Sequence, residues 1–146
     1  DDLQLIVMTG KNQSLLNELQ NPSLKWTDRL VAIGFTNTVP ELMACADLVI
    51  TKPGGLSTSE CLVMELPMLL INPIPGQEER NASYLLQESV AQRADDVATL
   101  IYRLRLLLAN SEKLSQMQRN TTLIKKPLAA TTLLHHIKNY LTGHNA

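Results

Sequence analysis

Aromatic residues are almost missing, at 3% of 146 residues with one Trp and one Phe. A core must therefore be built from Leu, Ile, Val, Met and Ala. Cys45 and Cys61 are the two cysteines, too few for a disulfide scaffold. Both fall in apolar-rich helical stretches, where burial as small hydrophobes is expected. The net charge is -1, without the excess of Lys and Arg that a general nucleic-acid surface uses. It also gives no support for a strong electrostatic membrane patch in this segment. No apolar run approaches the ~20 residues of a membrane-spanning helix. No signal peptide is visible, which makes the cytoplasm the expected compartment. There is no internal repeat, no low-complexity linker, and neither a G-x-G-x-x-G nor a P-loop pattern. No Met precedes the first strand-like run, so the chain reads as a segment of a longer protein.

What is present is an apolar fraction of 45% against 18% charged residues. That balance specifies a globular chain, and its length suits one domain with one core. Short apolar runs predict strands near 3–8, 30–33, 48–51, 68–72 and 90–93. Helical stretches lie between them, at Gln13–Leu19, from Thr38 to about Ala46, at Ser57–Met64 and from Gln77 to about Glu88. Thr38-Val39-Pro40-Glu41 fits a capping box. Alternating β and α at this spacing predicts a parallel sheet with right-handed crossovers. The strands lack polar alternation, as in a sheet covered on both faces. The rest is helical. Val97, Leu100, Ile101, Leu104, Leu107 and Leu108 form one stripe, with Arg103 and Arg105 off it. Further helices are expected at Ser111–Leu123 and Ala129–Leu141.

Parallel sheets bind ligands at the carboxyl ends of their strands. Gly10-Lys11-Asn12, Gly34-Phe35-Thr36, Lys52–Leu56 and Pro73–Glu79 all fall there. The chain is organised around Leu48–Glu60. An apolar strand runs into Lys52-Pro53-Gly54-Gly55, and a helix starts near Ser57, with Thr58, Ser59 and Glu60 in its first turn. Two glycines let backbone approach an anion, and free N–H groups of a first helical turn point at it. A plain βα turn would use the same residue types.

Other candidates carry less. Adjacent His135 and His136 point to different helix faces, which argues against a metal site. Glu78 and Glu79 could form a general-base pair, but acidic residues also favour a helix N-terminus. Lys125-Lys126 reads as a solvated loop. No Ser-His-Asp or Cys-His triad can be argued.

Taken together, Thr51–Glu60, then Leu66-Pro67, then Asn72-Pro73-Ile74-Pro75-Gly76-Gln77-Glu78-Glu79-Arg80-Asn81 resemble the C-terminal half of family 28 glycosyltransferases. The nearest likeness is to enzymes that build galactosyl- or glucosyl-diacylglycerol. Val7–Asn12 and Ile33–Thr36 fit the same pattern. The resemblance implies an α/β, Rossmann-like three-layer parallel sheet with extra C-terminal helices, the C-terminal domain of a GT-B enzyme. Residues 1–146 would be a single partial domain for a nucleotide-sugar donor. The N-terminal acceptor domain would lie outside it, together with one more strand and glycine-rich loop upstream of Leu3.

By position, the resemblance places backbone near Phe35 at the uracil and Glu60 at the ribose hydroxyls. Gly55, Leu56, Ser57 and Thr58 would lie at the diphosphate, and Gly10, Lys52 and Gly54 would be further donor-binding residues. Gln77 and Glu78 would contact the donor sugar, with Asn81 nearby. It implies no catalytic base in this chain, no cofactor and no metal, and inversion at the anomeric carbon. The implied function is UDP-sugar-dependent hexosyl transfer to a lipid acceptor such as diacylglycerol. The full-length protein would be cytoplasmic and peripheral on the inner face of the membrane, and the chain alone is expected to be inactive and to self-associate. The alternatives are a UDP-sugar 2-epimerase of the same fold, or a separate non-catalytic donor-binding subunit. Glu65 and Ser89 stand where the family usually has Gly, which bears on loop geometry.

Overall fold

A computed structural model describes residues 3–25 and 28–143. The chain divides into two compact units, Asp1–Leu42 and Met43–Ala146.

In the first unit, β1 (Leu5–Gly10) runs parallel to β2 (Leu30–Gly34), with Leu5 opposite Leu30 and Gly10 opposite Gly34. A register shift lies between Met8 and Gly10, and Gly10 takes a φ of 56°. Helix α1 (Gln13–Leu19) is capped by Asn12, whose Oδ1 accepts from the Leu15 N–H at 3.0 Å. Its Leu16 side chain stands 3.3 Å from where a Cβ on Gly34 would be, so the glycine is what lets α1 sit on β2. β1 departs from the expected two-sided cover. Leu5, Ile6 and Met8 are exposed; among the described residues, the helix lying wholly within this unit is the seven-residue α1.

Helix α2 (Val39–Ala44) carries the chain into the second unit. Its start is not the expected capping box. The Thr38 hydroxyl pairs with that of Thr36 at 2.7 Å, and the Leu42 N–H bonds the Thr38 carbonyl.

The second unit alternates β3 (Val49–Thr51), α3 (Gly55–Val63), β4 (Met68–Ile71), α4 (Gln77–Gln87) and β5 (Ala91–Ala94). Its three strands are parallel in the order β3-β4-β5. The parallel α/β character is as expected, but the five strands pair as two sheets rather than one. β4, an unbroken apolar run, is the buried centre: Met68, Leu69 and Leu70 have no exposed surface. Cys61 of α3 and Ala82 and Leu85 of α4 are buried too.

Helices α5 (Val97–Leu108), α6 (Ser111–Ile124) and α7 (Ala129–Gly143) follow. Asp96 caps α5 through the Thr99 N–H at 2.6 Å, and Asn110 caps α6 through the Lys113 N–H at 2.9 Å. The face of α5 turned inward differs from the expected stripe. Leu107 is buried, Leu100 and Leu104 are half-buried, and Val97, Ile101 and Leu108 are exposed. Arg103, expected off the stripe, is half-buried and donates to Gln92 Oε1 at 3.3 Å. A polar Gln92 in β5 is what admits an arginine to that face. α6 buries Met117 and Thr121, and the Thr121 hydroxyl bonds the Gln118 carbonyl at 2.7 Å. On α7, Leu133, Leu134, Ile137 and Leu141 are all exposed. Among the described residues, no helix is long and apolar enough to cross a membrane.

Candidate functional site

The carboxyl ends of β3 and β4 lead into two loops that the second unit brings together. After β3, Pro53 is buried and Gly54 caps α3 with φ -68° and ψ 144°, and no side chain caps the helix. The first helical bond joins the Thr58 N–H to the Gly54 carbonyl at 3.0 Å. That leaves the N–H groups of Gly55, Leu56 and Ser57 as the open donors of the first turn. The helix begins two residues earlier than expected, which places both Gly55 and Leu56 inside it.

Neither glycine is required by the fold here. Both have ordinary backbone angles, with no positive φ. A Cβ on Gly54 would meet nothing within 4 Å, and one on Gly55 would meet Gln77 Nε2 at 3.6 Å, ordinary contact. Missing side chains leave bare backbone facing open space at a helix N-terminus, the arrangement that accepts an anionic group.

After β4, the Asn72–Gly76 loop turns sharply. Asn72 has φ 43° and Gly76 has φ 104° and ψ -110°. The latter region belongs to glycine. Gln77 opens α4, and its closeness to Gly55 puts the two motifs of the sequence side by side. Asn81, one turn on, donates from Nδ2 to the Pro53 carbonyl at 2.9 Å and ties α4 to the glycine loop.

The expected site residues fall into two groups. Glu60 lies exposed on α3, and Gln77 is exposed at the start of α4. Among the described residues neither side chain has a hydrogen-bond partner, nor does that of half-buried Ser57. Lys52 and Leu56 are exposed. The others hold the structure. Thr58 is buried and its hydroxyl donates to the Gly54 carbonyl at 2.8 Å. Glu78 Oε2 accepts from the Ile74 N–H at 2.8 Å and braces its own loop. In the first unit Gly10 is the last residue of β1, and Phe35 follows β2 and is 71% exposed.

The sequence reading missed Arg93. It stands in β5 and holds Glu79 with both terminal nitrogens, Nη1 to Oε2 at 2.7 Å and Nη2 to Oε1 at 3.2 Å. Its Nε donates to Asp95 Oδ1 at 2.5 Å. Glu79 first, then Asp95, holds the guanidinium pKa above its ordinary value. The available signal was an arginine inside a short, otherwise buried strand, which calls for a carboxylate. Lys125 is likewise no free loop lysine, since Nζ pairs with Glu65 Oε1 at 2.5 Å. The rings of His135 and His136 stand 6.4 Å apart at 74°.

Parallel strands, loops gathered at their carboxyl ends and an uncapped helix behind a double glycine are the arrangement of a doubly wound α/β unit. The chain belongs to glycosyltransferase family 28, whose C-terminal domain model matches residues 1–133. It is 33% identical over 136 residues to a processive diacylglycerol beta-glucosyltransferase of Bacillus cereus, covering 93% of this chain and 35% of the relative. The chain thus spans about a third of the length of the curated relatives it matches. Among solved structures, MurG of Acinetobacter baumannii superposes with a TM-score of 0.74 at 18% identity, over 95% of this chain and 42% of that one. Anabaena HepE, solved in complex with UDP, superposes with a TM-score of 0.68 at 20% identity, over 97% of this chain and 41% of that one. The fold is that of GT-B glycosyltransferases.

Proposed function

We propose that this chain is the donor-binding part of a UDP-sugar-dependent hexosyltransferase acting on a lipid acceptor such as diacylglycerol. The observation that carries the reading is the unforced glycine pair at the start of α3, open in front and flanked by an unengaged Gln77. The N–H groups of Gly55, Leu56 and Ser57 would receive the diphosphate, with Gly54 keeping its path clear and Lys52 adding charge. As the sugar leaves, negative charge grows on that diphosphate, and the fixed dipoles of the helix end stabilise it with no reorganisation. Glu60 would take the ribose hydroxyls and Gln77 the sugar. Glu78 would shape the sugar loop, and Thr58 and Asn81 would hold the glycine loop in place. Gly10 and backbone at Phe35 are proposed as further donor contacts from the family likeness. The base that takes the acceptor proton would come from outside residues 1–146, in an acceptor domain that would also meet the inner face of the membrane. No cofactor or metal enters this reading.

The test is calorimetric titration of the chain, and of the full-length protein, with UDP, UDP-glucose, UDP-galactose, UDP-N-acetylglucosamine and GDP-mannose. UDP should bind the isolated chain with Kd on the order of 0.1–1 mM. Glu60→Ala should weaken UDP by about 1.5–3 kcal/mol, the range for a charge-assisted hydrogen bond, at unchanged melting temperature. Transfer to diacylglycerol should require the full-length protein. Absence of UDP binding, or equal affinity in Glu60→Ala, overturns the reading. Epimerised UDP-sugar as the product would favour a 2-epimerase.

A further inference from the structure

We propose that Arg93 is a positioning residue for the donor site. By gripping Glu79 it fixes the first turn of α4, and thereby sets Gln77 against the start of α3. This rests on the donor-site reading above.

Gln77 is exposed and, among the described residues, its side chain has no hydrogen bond of its own. Its place is therefore set by the backbone of the turn that carries it. That turn has an unsteady entry. Its N-cap is Gly76, which offers no side-chain cap and stands at φ 104°. Steadiness must come from other side chains of the turn. Glu78 ties back to the loop it follows, at Ile74. Glu79, by contrast, reaches the sheet, where Arg93 in β5 meets it with two nitrogens.

The shape of that contact suits positioning better than stabilisation. Side-chain exposures of 32% for Arg93, 39% for Glu79 and 67% for Asp95 leave the pairs open to water, where ion pairs add little to folding stability. A two-point guanidinium–carboxylate contact fixes orientation as well as distance, which a lysine cannot reproduce. Asp95 takes the remaining Nε and stops the guanidinium from turning. Asp96, next in the chain, caps α5. Arg93 is thereby seated between the first turn of α4 and the start of α5. Small displacements of a group that contacts a reacting sugar cost far more in function than in stability.

The test uses the full-length protein, titrated with UDP, UDP-glucose and UDP-galactose. The variants are Glu79→Gln and Arg93→Lys, with melting temperatures measured alongside. For whichever hexose the wild type binds, both variants should weaken the UDP-sugar roughly fivefold or more while UDP stays within about twofold, the sugar end being the part misplaced. Melting should shift by no more than about 2 °C. UDP-sugar affinity within twofold of wild type in both variants overturns the proposal. So does equal weakening of UDP and UDP-sugar, which would mark a general structural role. A variant that melts early is replaced by the swapped pair, Glu79→Arg with Arg93→Glu. Recovered sugar discrimination there supports the contact itself, and its absence counts against it. If the wild type binds neither UDP nor UDP-sugar, the donor-site reading fails first and this inference falls with it.

Discussion

Cys61 has no exposed surface, and its thiol is pushed from 9.0 up to about 11, by burial first and by the Glu60 carboxylate second. The unfolded chain keeps the ordinary value, so the folded state binds the thiol proton more tightly. That contribution to stability is complete below pH 9 and is lost as pH rises from 9 through 11. Denaturant titrations of wild type and Cys61→Ala should therefore diverge in slope against pH only above about pH 9. Parallel curves across that window would contradict the burial. Cys45 is exposed instead of buried as expected. Cys61 lies inside α3, whereas Cys45 falls in the turn just past the end of α2, and apolar neighbours in sequence do not say where a short helix stops or which side of it turns inward. Glu60 and Gln77 could be singled out by type and position. That Glu78 and Thr58 serve their own loops could not, because such bonds depend on local backbone angles.

At the scale of elements, punctuation was legible and faces were not. Gly, Pro and Asn clusters bracket the strands to within two residues, and the start of α3 was misplaced because Gly55 and Leu56 look like loop. The two positions where the resemblance implies Gly, Glu65 and Ser89, do adopt left-handed backbone, with φ 58° and 56°. Each ends a helix in the same way. The Leu66 N–H reaches the Cys61 carbonyl and the Val90 N–H reaches Leu85, while the Glu65 and Ser89 N–H groups bond Leu62 and Leu86. This is the Schellman arrangement, which favours glycine at the left-handed residue. A non-glycine residue there costs about 1 kcal/mol. Ser89 is exposed, and its link to Asn120 uses its carbonyl, which a glycine keeps. Ser89→Gly should therefore stabilise the protein by about 0.5–1 kcal/mol and raise Tm by about 2–4 °C. Scanning calorimetry checks this, and a lower Tm would show that the unfolded-state entropy of glycine outweighs the relief. Glu65→Gly should gain less, since it also removes the Lys125 pair. The inward face of α5 was misread because a 3.6-residue period fits two adjacent stripes. Only the partner Gln92 explains why Arg103 lies on the inner one.

At the scale of the whole molecule, strand direction was readable and strand partnership was not. The β–α spacing requires parallel neighbours, but pairing depends on packing between elements distant in sequence. Apolar runs likewise predicted cover on both faces, which holds for β4 and fails for β1. The same gap between pattern and cover governs α7. Leu133, Leu134, Ile137 and Leu141 repeat along one side of that helix, and each remains at least 47% exposed. For a solution of this chain, the relevant quantity becomes its osmotic second virial coefficient. Two copies that meet along α7 release ordered water, an attraction that is entropic and so deepens on warming. Light scattering should give a coefficient that falls, and turns negative, between 5 °C and 35 °C, and sulfate should lower it further. Leu134→Lys with Leu141→Lys should make it positive and flat with temperature. A wild-type coefficient that rises on warming would mean that charge, not this helix, governs how the molecules meet.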